Sequence, residues 1–205
     1  MAYQDMLTTF QAILNRDDVS LAQADVFIQQ GINKLQREVR LPCMEREFDT
    51  LVAGVTNTFI IPNDLLAITD VIYTAATAVT PRVLDKTSYR KLVVLPATLY
   101  PFTYARIRGN IVIAGAASPG DLVRVLYYGA FGPIANFTSD NEVTLGFPDV
   151  AIYAGLIFAA ASLSHPSKGD WEKTYMDLRQ ALVDEAIELE TSGGPQAVLP
   201  MYWEP

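Results

Sequence analysis

One cysteine and one histidine are all the soft-ligand and imidazole chemistry in this chain. Cys43 alone excludes an internal disulfide and fits synthesis in a reducing compartment. His165 cannot build a zinc or iron site by itself. No apolar run approaches the ~18 residues that a membrane span requires. The opening Met1-Ala2-Tyr3-Gln4-Asp5 lacks the basic-then-apolar layout of a signal peptide. There is no Gly-x-Ser-x-Gly elbow, no phosphate-cradling Gly-x-x-x-x-Gly-Lys-Ser/Thr stretch, and no histidine beside a candidate nucleophile. These absences argue against an enzyme, and neither a cofactor nor a metal is expected.

Charge is also scarce. Asp, Glu, Lys and Arg make up 19% of the 205 residues, and 50% are hydrophobic. An ordinary soluble domain carries about 25% charge. The deficit points to outward surface covered by other chains; a monomer with a large core is the other reading. The chain is too apolar for disorder.

The charge present is uneven. Residues 82–124 hold seven Lys/Arg against two Asp/Glu, a local +5, whereas 139–191 hold three against ten, a local −7. A net charge of −8 makes sequence-independent DNA binding unfavourable, because such binding runs on neutralising phosphates.

Hydrophobic periodicity predicts helices at both ends and strands between them. Tyr3, Met6, Leu7, Phe10, Ile13 and Leu14 step as one helical face over 3–14. Ser20 with Gln23 reads as a capping box. The helix it opens carries Ala24, Phe27, Ile28, Ile32, Leu35 and Val39, and Pro42 ends it. From Phe48 the period changes to two. Strands are predicted at 48–55, 58–61, 68–74 and 79–84, with a short helix over 85–93 capped by Asp85 or Thr87. A hairpin joins 102–108 to 111–114 through Gly109-Asn110. Leu122–Tyr128 alternates as a strand. Pro148 opens another helix, whose stretch Val150–Leu163 has no charge and is expected to be buried all round. Asp170 caps the last helix, with Trp171, Tyr175, Leu178, Leu182 and Leu189 inward. The expected fold is α+β: a helical bundle from residues 1–45 and 139–191, an inserted antiparallel β domain over 46–138, and an extended arm over 192–205.

Three features are candidates for function. The last helix carries an acidic face with Asp177, Asp184, Glu185 and Glu188. It offers carboxylates for hydrolysis or a metal, but they lie opposite the core stripe with nothing to desolvate them, so a solvated or inter-subunit face is favoured. Arg106, Arg108 and Arg124 form a basic set in the insert, with Tyr104 beside the first two. Basic and aromatic interleaving suits single-stranded nucleic acid, yet pairing with acidic helices of a neighbouring copy explains it better. Opposite patches on one chain suit head-to-tail contacts, which close into rings. The third is the tail. After Gly193-Gly194-Pro195 come Val198, Leu199, Met201, Tyr202 and Trp203. Burying each such side chain is worth roughly 1.5–3 kcal/mol, so the tail either folds back or docks into a groove on another protein. Gly115–Gly120 reads as a turn between strands, and His165 as a surface residue.

The whole pattern resembles the head–tail adaptor, or connector, proteins of tailed bacteriophages. The resemblance rests on the paired N-terminal helices, Pro62-Asn63-Asp64-Leu65-Leu66, Arg108-Gly109-Asn110-Ile111, Leu126-Tyr127-Tyr128, and the returning helix pair with Trp171 and Tyr175. It implies a ring of twelve copies in the virion, made in the host bacterial cytoplasm. The C-terminal arm would grip the portal protein, the other end would meet a tail or nozzle protein, and double-stranded DNA would pass transiently through. The acidic face would then line the channel or meet a neighbouring subunit. The smallest such adaptors are nearly all helix, so the insert's partner stays open. Alternatives are another head-closure or tail-completion protein, a glycan- or nucleic-acid-binding module, and a hydrolase using the acidic helix.

Overall fold

The computed structural model describes residues 1–77, 80–94, 101–134, 136 and 139–191. Helix α1 spans Tyr3–Leu14 and α2 Leu21–Glu38, followed by a 3-10 turn at Pro42–Met44. Strands β1 (Glu45–Leu51), β2 (Thr56–Ile60), β3 (Leu65–Thr74), β4 (Arg82–Val83) and β5 (Asp85–Lys86) precede the short helix α3 (Tyr89–Val94). Strands β6 (Thr103–Ile107), β7 (Asn110–Ala117) and β8 (Leu122–Gly129) lead to α4 (Glu142–Gly146), α5 (Pro148–Leu163) and α6 (Lys168–Thr191). The fold is mixed α+β, with six helices and two sheets among the described residues. Two compact units result: Met1–Cys43 with the chain from Phe131 onward, and Met44–Ala130.

In the helical unit most of the expected stripes are buried, while Ile13 and Phe27 are half-buried. Tyr3, Met6, Leu7, Phe10 and Leu14 of α1 are buried, as are Ala24, Ile28, Ile32 and Leu35 of α2. Ser20 accepts the Gln23 N–H while the Gln23 side chain accepts the Ser20 N–H, which completes the capping box. Helices α2 and α5 form the most extensive helix pair. Two glycines make their approach possible. A Cβ on Gly31 would lie 2.5 Å from the Gly155 nitrogen, and one on Gly155 would lie 3.1 Å from Ile28 Cα.

That close approach corrects one expectation. The uncharged stretch of α5 is not buried all round within the chain: Tyr153, Ile157 and Phe158 are half-buried, and Ala161 and Ser162 are exposed. Its packed side consists mainly of small residues, including Ala151, Ala154, Gly155, Ala159 and Ala160. Small side chains let the helix backbones touch, and several bulky ones are left on the flank.

In the second unit the sheet orders are β1-β8-β3-β4 and β2-β7-β6-β5. One core takes side chains from both sheets: Val71 and Tyr73 of β3, Val123, Val125 and Tyr127 of β8, and Tyr104, Ile111 and Ile113 of β6 and β7. Strand β8 alternates strictly between half-buried and buried positions, as its sequence does. A smaller cluster joins Leu92 of α3 to Ala105, Val112 and Ala114.

Local chemistry shifts several predicted boundaries. The hairpin turn is Arg108-Gly109, one residue earlier than Gly109-Asn110, because Ile107 pairs with Asn110. Arg108 takes the positive φ of 51° that the glycine was expected to supply. Asp85 caps no helix; it lies in β5, which pairs parallel with β6. The other strand pairs are antiparallel. Helix α3 starts later, with the Ser88 hydroxyl accepting the Lys91 N–H at 3.4 Å.

Candidate functional site

The surface of the helical unit begins with what fixes α6. Tyr175 donates its hydroxyl to Glu38 Oε2 at 2.6 Å, and Arg179 pairs with the same oxygen at 3.2 Å. Lys34 bonds the other Glu38 oxygen and lies over the Tyr175 ring, 4.9 Å from its centre. Burial, and then the Glu38 bond, push the Tyr175 phenol above its ordinary range. Partial burial alone would raise the Glu38 carboxyl; bonds from Lys34, Tyr175 and Arg179 more than offset it and hold the carboxyl low. One turn before Tyr175, Trp171 stacks on His165 with centroids 4.6 Å apart. His165 is therefore a packing partner of Trp171, and its Nδ1 accepts the Ser167 N–H at 3.2 Å.

Tyr175 and Arg179 define the side of α6 that faces α2. At 100° per residue, Asp177, Asp184 and Glu188 project about 180–220° away from Tyr175. All three are exposed, as is Glu185. Among the described residues Asp184 accepts a local bond from Gln180, at 2.8 Å. Glu185 borders an apolar groove of about 170 Å³ with Leu41, Phe147, Leu182 and Leu189. Among the described residues no cluster of three or more His, Cys, Asp or Glu side chains is placed to hold a metal.

The flank next to these acids, about 80–140° round from Tyr175, carries something the sequence reading passed over. Met176, Gln180, Val183 and Ile187 are spaced by four, three and four, the rhythm of a helix-docking seam. Met176 is 58% exposed and Ile187 53%. The inward stripe also loosens along α6: Trp171 and Tyr175 are buried, Leu178 and Leu182 half-buried, and Leu189 is 62% exposed. The second seam was readable from the spacing, but the acids interleaved with it disguised it as a solvated face.

A groove of about 410 Å³ lies on the α2 side, lined by Gln30, Asn33, Lys34, Arg37, Glu38 and Phe158. Four of these, Gln30, Asn33, Lys34 and Arg37, fall at i, i+3, i+4 and i+7 on one face of α2.

In the β-rich unit the basic set separates. Arg106 is exposed on β6, and Arg108 sits in the adjacent turn. Arg124 belongs to the other sheet, where it pairs with Asp49 at 2.7 Å and Glu47 at 3.6 Å. The Asp49 bond raises the Arg124 guanidinium and depresses the Asp49 carboxyl. Tyr104 is buried in the core and offers no stacking face for a base.

Two of the sequence signatures meet here. Asp64 accepts from Arg46 at 3.0 Å and from the Tyr127 hydroxyl at 3.3 Å. The Asp64 carbonyl accepts the Ala130 N–H at 2.7 Å, and Arg46 reaches the Ala130 carbonyl at 2.9 Å. The Pro62-to-Leu66 and Leu126-to-Tyr128 segments thus meet through the Tyr127–Asp64 bond, and Arg46, which sequence reasoning did not single out, ties Asp64 to Ala130. The arm residues Val198, Leu199, Met201, Tyr202 and Trp203 lie outside the described residues.

These surfaces carry apolar seams and paired charges suited to contact with other macromolecules. A family model described as SU10 adaptor protein matches residues 1–199. No curated protein matches the chain.

Proposed function

The chain belongs to the SU10 adaptor protein family, and from that premise we propose that it is the head–tail adaptor of a tailed bacteriophage. It is a structural virion component without enzymatic activity, made in the host cytoplasm, that joins portal to tail. The observation that carries this reading is the family match over residues 1–199. In it, α1, α2, α5 and α6 form a bundle that is the body of a ring, and the β-rich insert meets a tail or nozzle protein. Twelve copies follow from the resemblance to connector rings. The net charge of −8 keeps DNA phosphates from adhering during passage, an effect that screening confines to about 8 Å at physiological salt.

The arm over residues 192–205 supplies apolar anchors for a groove on the portal, and ring symmetry multiplies the grip through avidity. Deleting residues 196–205 is expected to leave a folded chain, by circular dichroism, that the portal protein no longer retains in a pull-down. Retention equal to that of the full chain would refute the arm's role.

A further inference from the structure

Helix α6 has two faces of different kinds. The inner face, through Tyr175 and Arg179, is fixed to Glu38 of α2. Met176, half-buried Val183 and Ile187 lie on the flank of α6, about 80–120° round from Tyr175, beside Asp177 and Asp184 at about 180–200°. The α2 groove offers the complement. Phe158, half-buried on the uncharged stretch of α5, is its apolar element, and Lys34 and Arg37 supply positive charge. Arg37 is exposed and makes no ion pair among the described residues, whereas Lys34 and Arg179 share the single carboxylate of Glu38. The groove lining thus sets Lys34 and Arg37 against Glu38 alone, an excess of positive charge.

The two surfaces cannot neutralise each other within one chain, since Asp177 and Asp184 point about 180–200° away from the side of α6 that meets α2. We propose that the acidic outer face of α6 docks into the α2–α5 groove of a second copy, with Met176 and Val183 against Phe158 and the Asp177–Asp184 edge against Arg37. The contact is heterologous: each copy gives its α6 face to one neighbour and its groove to the other, the geometry that propagates and closes into a ring. The inference rests on the ring reading for its closure, and it assigns the acidic face to a subunit contact in place of a channel wall.

The test is charge exchange in the full-length chain, read by light scattering across a concentration and salt series. Arg37→Glu is expected to weaken self-association by about tenfold or more, because like charges would then face each other. Asp177→Arg with Asp184→Arg is expected to do the same. Combining all three substitutions reverses both faces and is expected to restore the assembled mass. Met176→Asp supplies an arm that does not depend on charge pairing, and is expected to yield monomer with an unchanged circular dichroism spectrum. Raising salt weakens the wild-type assembly. A wild-type chain that remains monomeric throughout, or an assembled mass indifferent to Arg37→Glu, overturns the proposal. Portal capture of the same variants separates the two readings: assembly that follows the charge exchange without portal binding would sink the adaptor role and leave this contact standing.

Discussion

Asp121 shows how a single side chain organises its surroundings. It is 3% exposed and accepts from the Tyr73 hydroxyl at 2.5 Å, the Ser118 N–H at 2.7 Å and the Ala76 N–H at 2.9 Å. One carboxylate thus ties the end of β3 to the turn before β8. Burial alone would raise its pKa, but the three donors outweigh it and hold the carboxyl below the ordinary aspartate value. A depressed folded-state value means the stabilisation is present above the unfolded pKa, about 3.9. It is lost as pH falls through the lower folded value. Asp121→Asn is therefore expected to cost about 1–3 kcal/mol at neutral pH and to flatten the acid limb of the stability curve. Urea unfolding between pH 7 and pH 2 measures both. The sequence displayed the Ser118-Pro119-Gly120 turn but not the role of the acid after it, because the role depends on Tyr73, 48 positions away.

Gly31 makes a second residue-scale case in which two effects of opposite sign compete. Helix propensity alone favours alanine there by about 1 kcal/mol. The added Cβ would stand 2.5 Å from the Gly155 nitrogen, and a backbone atom cannot rotate aside. Overpacking of that kind costs about 3 kcal/mol, so the clash wins. Gly31→Ala is expected to lower stability by about 2 kcal/mol, a fall of roughly 4–8 °C in Tm for a chain of this size.

At the scale of elements, what was legible is what local chemistry determines. The α1 stripe needed only the spacing of Tyr3, Met6, Leu7, Phe10 and Leu14. The α2 start needed only Ser20 and Gln23. Ser20→Ala is expected to cost about 1 kcal/mol, seen as a small fall in Tm without loss of cooperativity. Elements that depend on distant partners were misplaced. The β6–β7 turn slipped by one residue because pairing of Ile107 with Asn110 fixes it, not the preference of glycine for positive φ. Strand β5 was read as helix because its partner among the described residues, Thr103–Tyr104 of β6, lies well downstream. Helix α6 was legible as a helix but not as a two-faced one. Its inward contacts are set by Glu38, and only against them does the Met176–Ile187 seam stand out as a separate flank. Tyr175→Phe removes the bond to Glu38 and is expected to cost about 1 kcal/mol, with Lys34 and Arg179 still pairing the carboxylate.

For the molecule as a whole, charge distribution governs the account. The unit of Met44–Ala130 is nearly neutral, and the negative charge resides in the other unit. Within that acidic unit, the Lys34–Arg37 site on α2 is a positive exception. Part of the candidate basic set turned out otherwise: Arg124 satisfies Asp49 and Glu47 on its own sheet, and the sequence could not show that β1 and β8 are neighbours. The uncharged stretch Val150–Leu163 of α5, with half-buried Tyr153, Ile157 and Phe158, and the apolar flank of α6 both contribute to the low charge content. Both keep apolar side chains partly or largely exposed among the described residues.

The most direct measurement is electron microscopy of the purified chain mixed with the portal protein. The account predicts a closed ring of chains seated on the portal, lost when residues 196–205 are removed. Particles in which the portal stays bare while the intact chain remains a separate monomer would contradict it.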